Sequence, residues 1–341
     1  MNQKLVLFIV NSTSGGGAEV SAMTIVEQLR SDGYNVLVIA LNLNQFPHKK
    51  KPEHVIQLGR TWKSGICDTY STFKEFRSTL EKLNPALVVA HCELPELYCA
   101  LAPNLRNKLI VVEHTSNPWN GRKTIGRITR FLLRLKKSSW VTVDKSQNKI
   151  WCGSRKPKHI YNPVIKNKLK NQRKFIESIA FIGRLNDDKR PHLAIEAAIN
   201  NSMPIAVIGD GYCKEELVNR FSENREIVTF YGFLENPWAH LSEDTLIVMP
   251  SKYEGDGLVA VEAIINEFPI VLADNEDLRR FELPSVNYFR TERELSEVLQ
   301  QVKNQGVDRF KLPNSIIEKM QHERDIRTIT SNWIRELGLD E

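Results

Sequence analysis

A chain of 341 residues is about twice a common domain length, and its 41% hydrophobic and 26% charged residues exclude a mainly disordered protein. Five cysteines, at 67, 92, 99, 152 and 213, form no CxxC pair and leave an odd count, which argues against a disulfide framework or structural zinc and for a reducing cytoplasm. The net charge of +6 hides a division: residues 1–163 carry +13 and residues 164–341 carry −7, so the first half suits an acidic partner.

In chain order, the apolar run LVLFIV at 5–10 is too short to span a membrane and no cleavage-like site follows it, so it predicts a buried first strand. The loop NSTSGGGAE, residues 11–19, opens a helix over 18–31. Its glycines let the backbone approach a ligand, and the free amides of a helix start can receive phosphate. A plain strand-to-helix turn uses the same residues, and the GxGxxG dinucleotide fingerprint is absent. Further strands are predicted at NVLVIAL, ALVVAH, LIVVEH and WVTV, with a helix over 72–83.

Residues 114–143 hold seven basic side chains, Arg122, Lys123, Arg127, Arg130, Arg134, Lys136 and Lys137, and no acidic one. Ile125, Ile128, Phe131, Leu132 and Leu135 recur at helical spacing, and the expectation is that this stripe packs on the sheet while the basic face is solvated. That face, with the HKKK run at 48–51, suits an anionic bilayer. Nucleic acid is the rival partner, but no helix-turn-helix, zinc module or RNP-like strand accompanies the charge.

Tyr161-Asn162-Pro163-Val164 marks a domain boundary, because proline turns its predecessor out of helix geometry. Beyond it come strands at SIAFIG, MPIAVIG, IVTFYG, TLIVMP and PIVLAD, and helices over 190–201 and 257–266. A last helix is predicted over about 315–335, with Ile317, Met320, Ile326, Ile329 and Trp333 as candidate buried positions. Short continuous apolar strands alternating with helices predict an α/β protein of two doubly wound domains, 1–163 and 164–314, with a C-terminal helical segment over 315–341. A ligand site is expected in the interdomain cleft.

Two motifs carry chemistry. FIGRLNDDKR, residues 181–190, sets Arg184 just beyond a strand and Lys189 five residues later, a guanidinium fork and a point charge that could neutralise a diphosphate. A solvated loop with Asp187 and Asp188 as local partners is the plainer alternative. In SKYEGDGLVAVEA, residues 251–263, Glu254 precedes a helix and Glu262 lies within it. Two carboxylates so placed can grip hydroxyls at opposite ends of a ligand, with the amides of Gly257 and Leu258 facing phosphates between them. An exposed Glu254 and a Glu262 paired with a nearby base is the structural alternative.

Together with GGAE at 16–19, VIGDG at 207–211 and YNPV at the junction, these motifs make the chain resemble, over about residues 4–335, the retaining GT-B-fold glycosyltransferases of family 4. The resemblance implies two Rossmann-like domains and a nucleotide-sugar donor, with UDP favoured over GDP. It implies that Arg184 and Lys189 hold the donor diphosphate, Glu262 the ribose and Glu254 the sugar hydroxyls. Gly16 and Gly17 resemble the loop that approaches the phosphates, and His114, in VVEHTSN, the histidine beside the donor sugar. Gly209 and the Gly232–Phe233 turn fall near the base, while Asp256, Gly257 and Leu258 line the donor site. Asp256 stands where the family usually has an aromatic or apolar residue, Glu267 where it has a small one, and NEDLRRFELPS replaces a glycine pair and glutamate. These departures bear on the identity of the sugar.

The expected activity is therefore transfer to a glycan or polyprenyl-diphosphate-linked acceptor in surface polysaccharide synthesis, O-antigen, lipopolysaccharide or capsule, at the inner face of the membrane. No Asp-x-Asp sequence occurs, so no metal or other cofactor is expected. A GT-B nucleotide-sugar epimerase, a non-catalytic glycan or nucleotide binder on the same fold, and an NAD-dependent dehydrogenase are the alternatives.

Overall fold

The computed structural model describes residues 4–13, 15–43, 52–61, 65–115, 118–144, 156–166 and 177–340. The HKKK run and most of the lysine-rich stretch after Lys166 lie outside them. The chain forms two compact units, Met1–Pro163 with Glu323–Glu341, and Val164–His322.

The first unit is built on a seven-stranded parallel sheet: β1 (Val6–Val10), β2 (Val36–Asn42), β3 (Val55–Arg60), β4 (Leu87–His91), β5 (Leu109–Glu113), β6 (Ser139–Thr142) and β7 (Lys158–His159). Their spatial order is β3-β2-β1-β4-β5-β6-β7. Each strand of β1 register alternates between two cores: Val6, Phe8 and Val10 on one face, Leu7 and Ile9 on the other. Burial on both faces is why these strands read as unbroken apolar runs. Helices α1 (Gly17–Ser31), α2 (Ile66–Leu83), α3 (Glu93–Leu101) and α4 (Lys123–Leu135) belong to this unit.

The second unit has six parallel strands: β8 (Ile179–Ile182), β9 (Ile205–Ile208), β10 (Val228–Gly232), β11 (Leu246–Met249), β12 (Ile270–Ala273) and β13 (Tyr288–Phe289), in the order β10-β9-β8-β11-β12-β13. It carries α5 (Pro191–Asn200), α6 (Lys214–Arg220), α7 (Leu258–Ile265), α8 (Glu276–Arg279), α9 (Glu292–Gln305) and α10 (Asn314–Glu323).

Two expectations need correction. The helix predicted over 315–335 is two helices, α10 and α11 (Ile326–Leu337). Asp325 breaks it: its backbone is extended, and its carboxylate accepts from Thr328 N at 2.9 Å, which starts a new helix. Ile329, Trp333 and Leu337 of α11 then join Phe8 in the core of the first unit. Arg324, just before it, stacks over Tyr161 at 4.1 Å and donates to Asn162 O at 3.3 Å, while Asn162 Oδ1 accepts from Ser21 at 2.6 Å.

The second correction concerns α4. Ile125, Ile128, Phe131 and Leu135 do not pack on the sheet; they are 45–60% exposed. The helix buries Gly126, Thr129, Arg130 and Leu133 instead. The physical reason lies under Gly126 and Arg130. A Cβ at Gly126 would sit 2.4 Å from Trp119, so the helix comes close on its glycine side. Arg130, on that same side, meets Glu113 and, at 3.7 Å, Glu96. Two buried carboxylates draw the arginine inward; of the expected stripe Leu132 packs against the core as anticipated, and the other four residues are left outside.

Candidate active site

In the second unit the chain order reverses between β8 and β11, so the loops leaving their carboxyl ends diverge, and such a switch point is where open α/β sheets bind ligands. Both chemical motifs fall on those two loops. Arg184 and Lys189 follow β8, while Glu254, Asp256 and Gly257 follow β11 and lead into α7.

Bonds between the two loops hold them together. Arg190, left-handed at φ 48°, donates from Nε to Pro250 O at 2.7 Å; Lys252 N donates to Asp188 O at 2.7 Å; and Lys189 Nζ meets Glu254 Oε1 at 2.5 Å. Glu254 is thus not an exposed carboxylate: its side chain is 7% exposed, and a charge so buried needs a partner such as Lys189. Its backbone N–H donates to Asp277 Oδ2 at 3.0 Å. Arg184 remains exposed one residue past Gly183.

Gly257 caps α7 in the left-handed region at φ 65°. A Cβ there would stand 3.0 Å from the Phe281 ring, so the left-handed backbone and the tight approach both favour glycine. Arg280, next to Phe281, donates to Gly255 O at 2.9 Å. Asp256 is buried, and Leu258 is the first residue of α7, where helix N–H groups lack partners within the helix. Glu262, in the middle of α7, accepts from Trp238 Nε1 at 2.9 Å rather than from a base. Burial pushes its carboxyl up to about 7, against the opposing effect of the indole bond.

The loops after β8, β9 and β10 are tied backbone to backbone. Gly183 N donates to Ile208 O at 3.0 Å and Gly209 N to Gly232 O at 2.8 Å. At Gly209, φ 143°, a Cβ would overlap Gly183 O at 1.8 Å, so this glycine serves loop packing. Phe233 follows Gly232 at the open end of β10 and is 41% exposed. Nearby Tyr212, also exposed, donates to Asp187 Oδ2 at 2.8 Å.

In the first unit the switch point lies between β1 and β4. Gly16 caps α1 with extended backbone and Gly17 is its first residue, both on the loop after β1. His114 follows β5, and its Nε2 is 2.8 Å from Nδ1 of His91, at the end of neighbouring β4. Glu113, immediately before His114, is held by Arg130; burial nevertheless raises its pKa, and that of Glu96 to about 8. Trp119 bridges to this acidic cluster through its indole, 3.1 Å from Glu96 Oε2.

His91, Trp238 and Asp277 were invisible to motif reasoning. His91 ends β4, Trp238 lies in a short 3-10 turn after β10 and Asp277 in α8, with no fixed spacing to the residues they contact. Each meets its partner only once its own unit has folded.

Residues 164–319 match the family model described as "Glycosyl transferases group 1", and residues 15–148 match "Glycosyltransferase Family 4". An uncharacterized glycosyltransferase of Haemophilus influenzae is 24% identical over 79% of this chain and 80% of its own. A Campylobacter jejuni relative is 23% identical over 76% of each chain; it is the alpha-1,4-N-acetyl-D-galactosaminyltransferase acting on GalNAc-alpha-(1->4)-GalNAc-alpha-(1->3)-diNAcBac-PP-undecaprenol. The crystal structure of Anabaena HepE in complex with UDP superposes with a TM-score of 0.76 at 19% identity, covering 98% of this chain and 99% of HepE.

Proposed function

The chain belongs to the GT-B glycosyltransferases of group 1 and family 4, a retaining and metal-independent family using nucleotide-sugars, and from that membership we propose that it moves a sugar from UDP onto a lipid-linked glycan. The UDP carried by HepE and the undecaprenol-diphosphate acceptor of the Campylobacter relative support those choices. The pathway is bacterial surface polysaccharide assembly, O-antigen, lipopolysaccharide or capsule, on the cytoplasmic side of the membrane.

The observation that carries this function is the Lys189–Glu254 pair joining the loops after β8 and β11 at the switch point of the second unit. In the free protein the two side chains neutralise each other. A bound diphosphate takes Lys189, together with Arg184 and the start of α7, and releases Glu254 to accept hydroxyls of the sugar. Glu262 takes the ribose, while Asp256, Gly209 and Phe233 border the donor. As the glycosidic bond breaks, charge grows on the β-phosphate, where the cations and helix amides already stand. The departing phosphate accepts the proton of the acceptor, so no side chain serves as nucleophile.

A lipid-borne acceptor lies at a bilayer surface, and α4 suits that surface. Ile125, Ile128, Phe131 and Leu135 are exposed among Arg122, Lys123, Arg127 and Arg134, which are exposed too. This is the composition of a helix that lies in an anionic interface, each nearby cation contributing about 1 kcal/mol. Among the described residues no helix is long and apolar enough to cross a membrane.

Thermal shift with UDP, GDP, ADP and NAD, in EDTA and then in magnesium, tests the donor assignment. UDP at a hundred times its dissociation constant should stabilise by about 2.7 kcal/mol, with or without EDTA. Arg184→Ala should abolish that gain and leave the ligand-free melting point unchanged, because Arg184 is exposed. Lys189→Ala should lower the ligand-free melting point as well, since it removes the cation paired with a buried carboxylate. A shift with NAD alone, or with none of the four, would refute the proposal.

A further inference from the structure

Three carboxylates gather where α4 is seated on the first unit: Glu93 and Glu96 of α3, and Glu113 at the end of β5. Glu96 and Glu113 are 1% and 5% exposed. Among the described residues the cation that meets both is Arg130 of α4, 6% exposed. A guanidinium only donates, so whatever else Arg130 touches draws on the same single charge. Two buried carboxylates beside one buried cation leave a negative charge uncompensated, and a carboxyl so placed takes up a proton instead.

The two carboxyls do not share the cation evenly. Arg130 Nη2 is in close contact with Glu113 Oε2 and stands 3.7 Å from Glu96 Oε1, beyond a hydrogen bond. Glu113 also accepts from Thr115 N at 3.4 Å. Glu96 Oε2 accepts from the neutral indole of Trp119 at 3.1 Å, a bond that the carbonyl oxygen of an acid can take as well. Glu113 is thus the better seat for the charge and Glu96 for the proton. Burial, with the charges of Glu113 and Glu93 behind it, pushes Glu96 up to about 8 against the pull of Arg130 and the indole bond. The thiols of Cys92, at the start of α3, and Cys99, within it, are held protonated by burial and bring no charge.

We infer that Glu96 and Glu113 hold one proton between them at neutral pH, seated on Glu96, and that this proton fastens α4 to the first unit. Both holds on α4 run through the pair. Gly126 lies against Trp119, whose indole donates to Glu96, and Arg130, one turn further on, meets Glu113. With the proton gone, Glu93, Glu96 and Glu113 face one guanidinium as three charges, and the seat of α4 loosens. Because the folded-state pKa of about 8 stands above 4.5, the stability contributed is whole below 4.5 and lost as pH rises through about 8. Its consequence at a bilayer rests on the proposed function: the stripe of α4 is presented firmly at neutral pH and loosely in alkaline solution.

Infrared spectra of the ligand-free full chain read protonated carboxyls by a carbonyl stretch that carboxylates lack. Ordinary carboxyls are ionised at about pH 7, so a band that survives Glu262→Gln should mark this pair. Glu96→Gln should remove it. Glu113→Gln should remove it too, because Glu96 then has Arg130 to itself and ionises, whereas a Glu96 protonated by burial alone would keep its band. Absence of the band from Glu262→Gln, or its persistence in Glu96→Gln or in folded Glu113→Gln, overturns the inference. Amide hydrogen exchange then reads the seat. Corrected for its intrinsic dependence on pH, protection in α4 should fall several-fold between about pH 7 and about pH 9 in the unaltered protein and hold in Glu96→Gln. Equal protection at both pH values in the unaltered protein would refute the fastening. None of these measurements needs a membrane or a sugar donor, so failure of vesicle binding or of transfer would count against the proposed function and leave the proton standing.

Discussion

Glu262 shows how a single carboxyl reports on its surroundings. Its folded-state pKa of about 7 stands above the ordinary 4.5 because burial outweighs the bond from Trp238. The folded protein therefore holds this proton more tightly than the unfolded chain, and the stability it contributes below pH 4.5 is lost as pH rises through about 7. Ribose hydroxyls bind best to the ionised form, so UDP affinity should rise about tenfold between about pH 6 and about pH 8. Calorimetric titration checks this, and Glu262→Gln should remove the part of the rise that the phosphate of UDP does not explain. Arg184, Lys189, Glu254 and Glu262 were legible because they stand at fixed spacings beside strand and helix starts. Their partners were not: Trp238 reaches Glu262 from a 3-10 turn, Asp277 reaches the backbone of Glu254 from α8, and His91 reaches His114 across neighbouring strands. Glu267, where the family has a small residue, stands in the left-handed region at φ 66° and pairs with Lys166 Nζ at 2.5 Å.

At the scale of elements, the long apolar runs were the clearest signal. All ten anticipated strands form, because strands buried on both faces leave no polar interruption. Those missed are β3, whose VIQLGR mixes polar residues into an edge strand, and the two-residue strands β7 and β13. For α4, helical periodicity gave the right element and the wrong face. Periodicity locates a stripe but not what lies opposite it, and the acidic pair Glu96 and Glu113 that recruits Arg130 comes from α3 and β5. The exposed stripe has a measurable consequence. Replacing Ile128 and Phe131 together by serine should release the protein from vesicles containing anionic lipid, while its melting point stays within about 1 kcal/mol equivalent, since neither side chain is buried. Retained binding in a flotation assay would show that the stripe does not enter the bilayer.

For the whole molecule, the path of the chain matters more than its length. The first unit is discontinuous, 1–163 completed by 323–341, and the second is continuous between them. A chain ending at Glu323 would lose Ile329, Trp333 and Leu337 from the core around Phe8. At about 2 kcal/mol for each buried apolar side chain, that loss of roughly 6 kcal/mol rivals the total stability of a domain. Calorimetry of the truncated chain should therefore show the first unit's transition lost or strongly lowered and the second's retained. On the ribosome the same path sets an order of events. The first unit begins to emerge first and cannot close until the last eighteen residues have been made, about 1 to 4 seconds after Glu323 at common synthesis rates. The second unit has all its residues by then, so a nascent chain can complete that unit before the first is whole. A message cut short near its end would thus yield a protein with one finished unit and, around Phe8, an open hydrophobic core in the other.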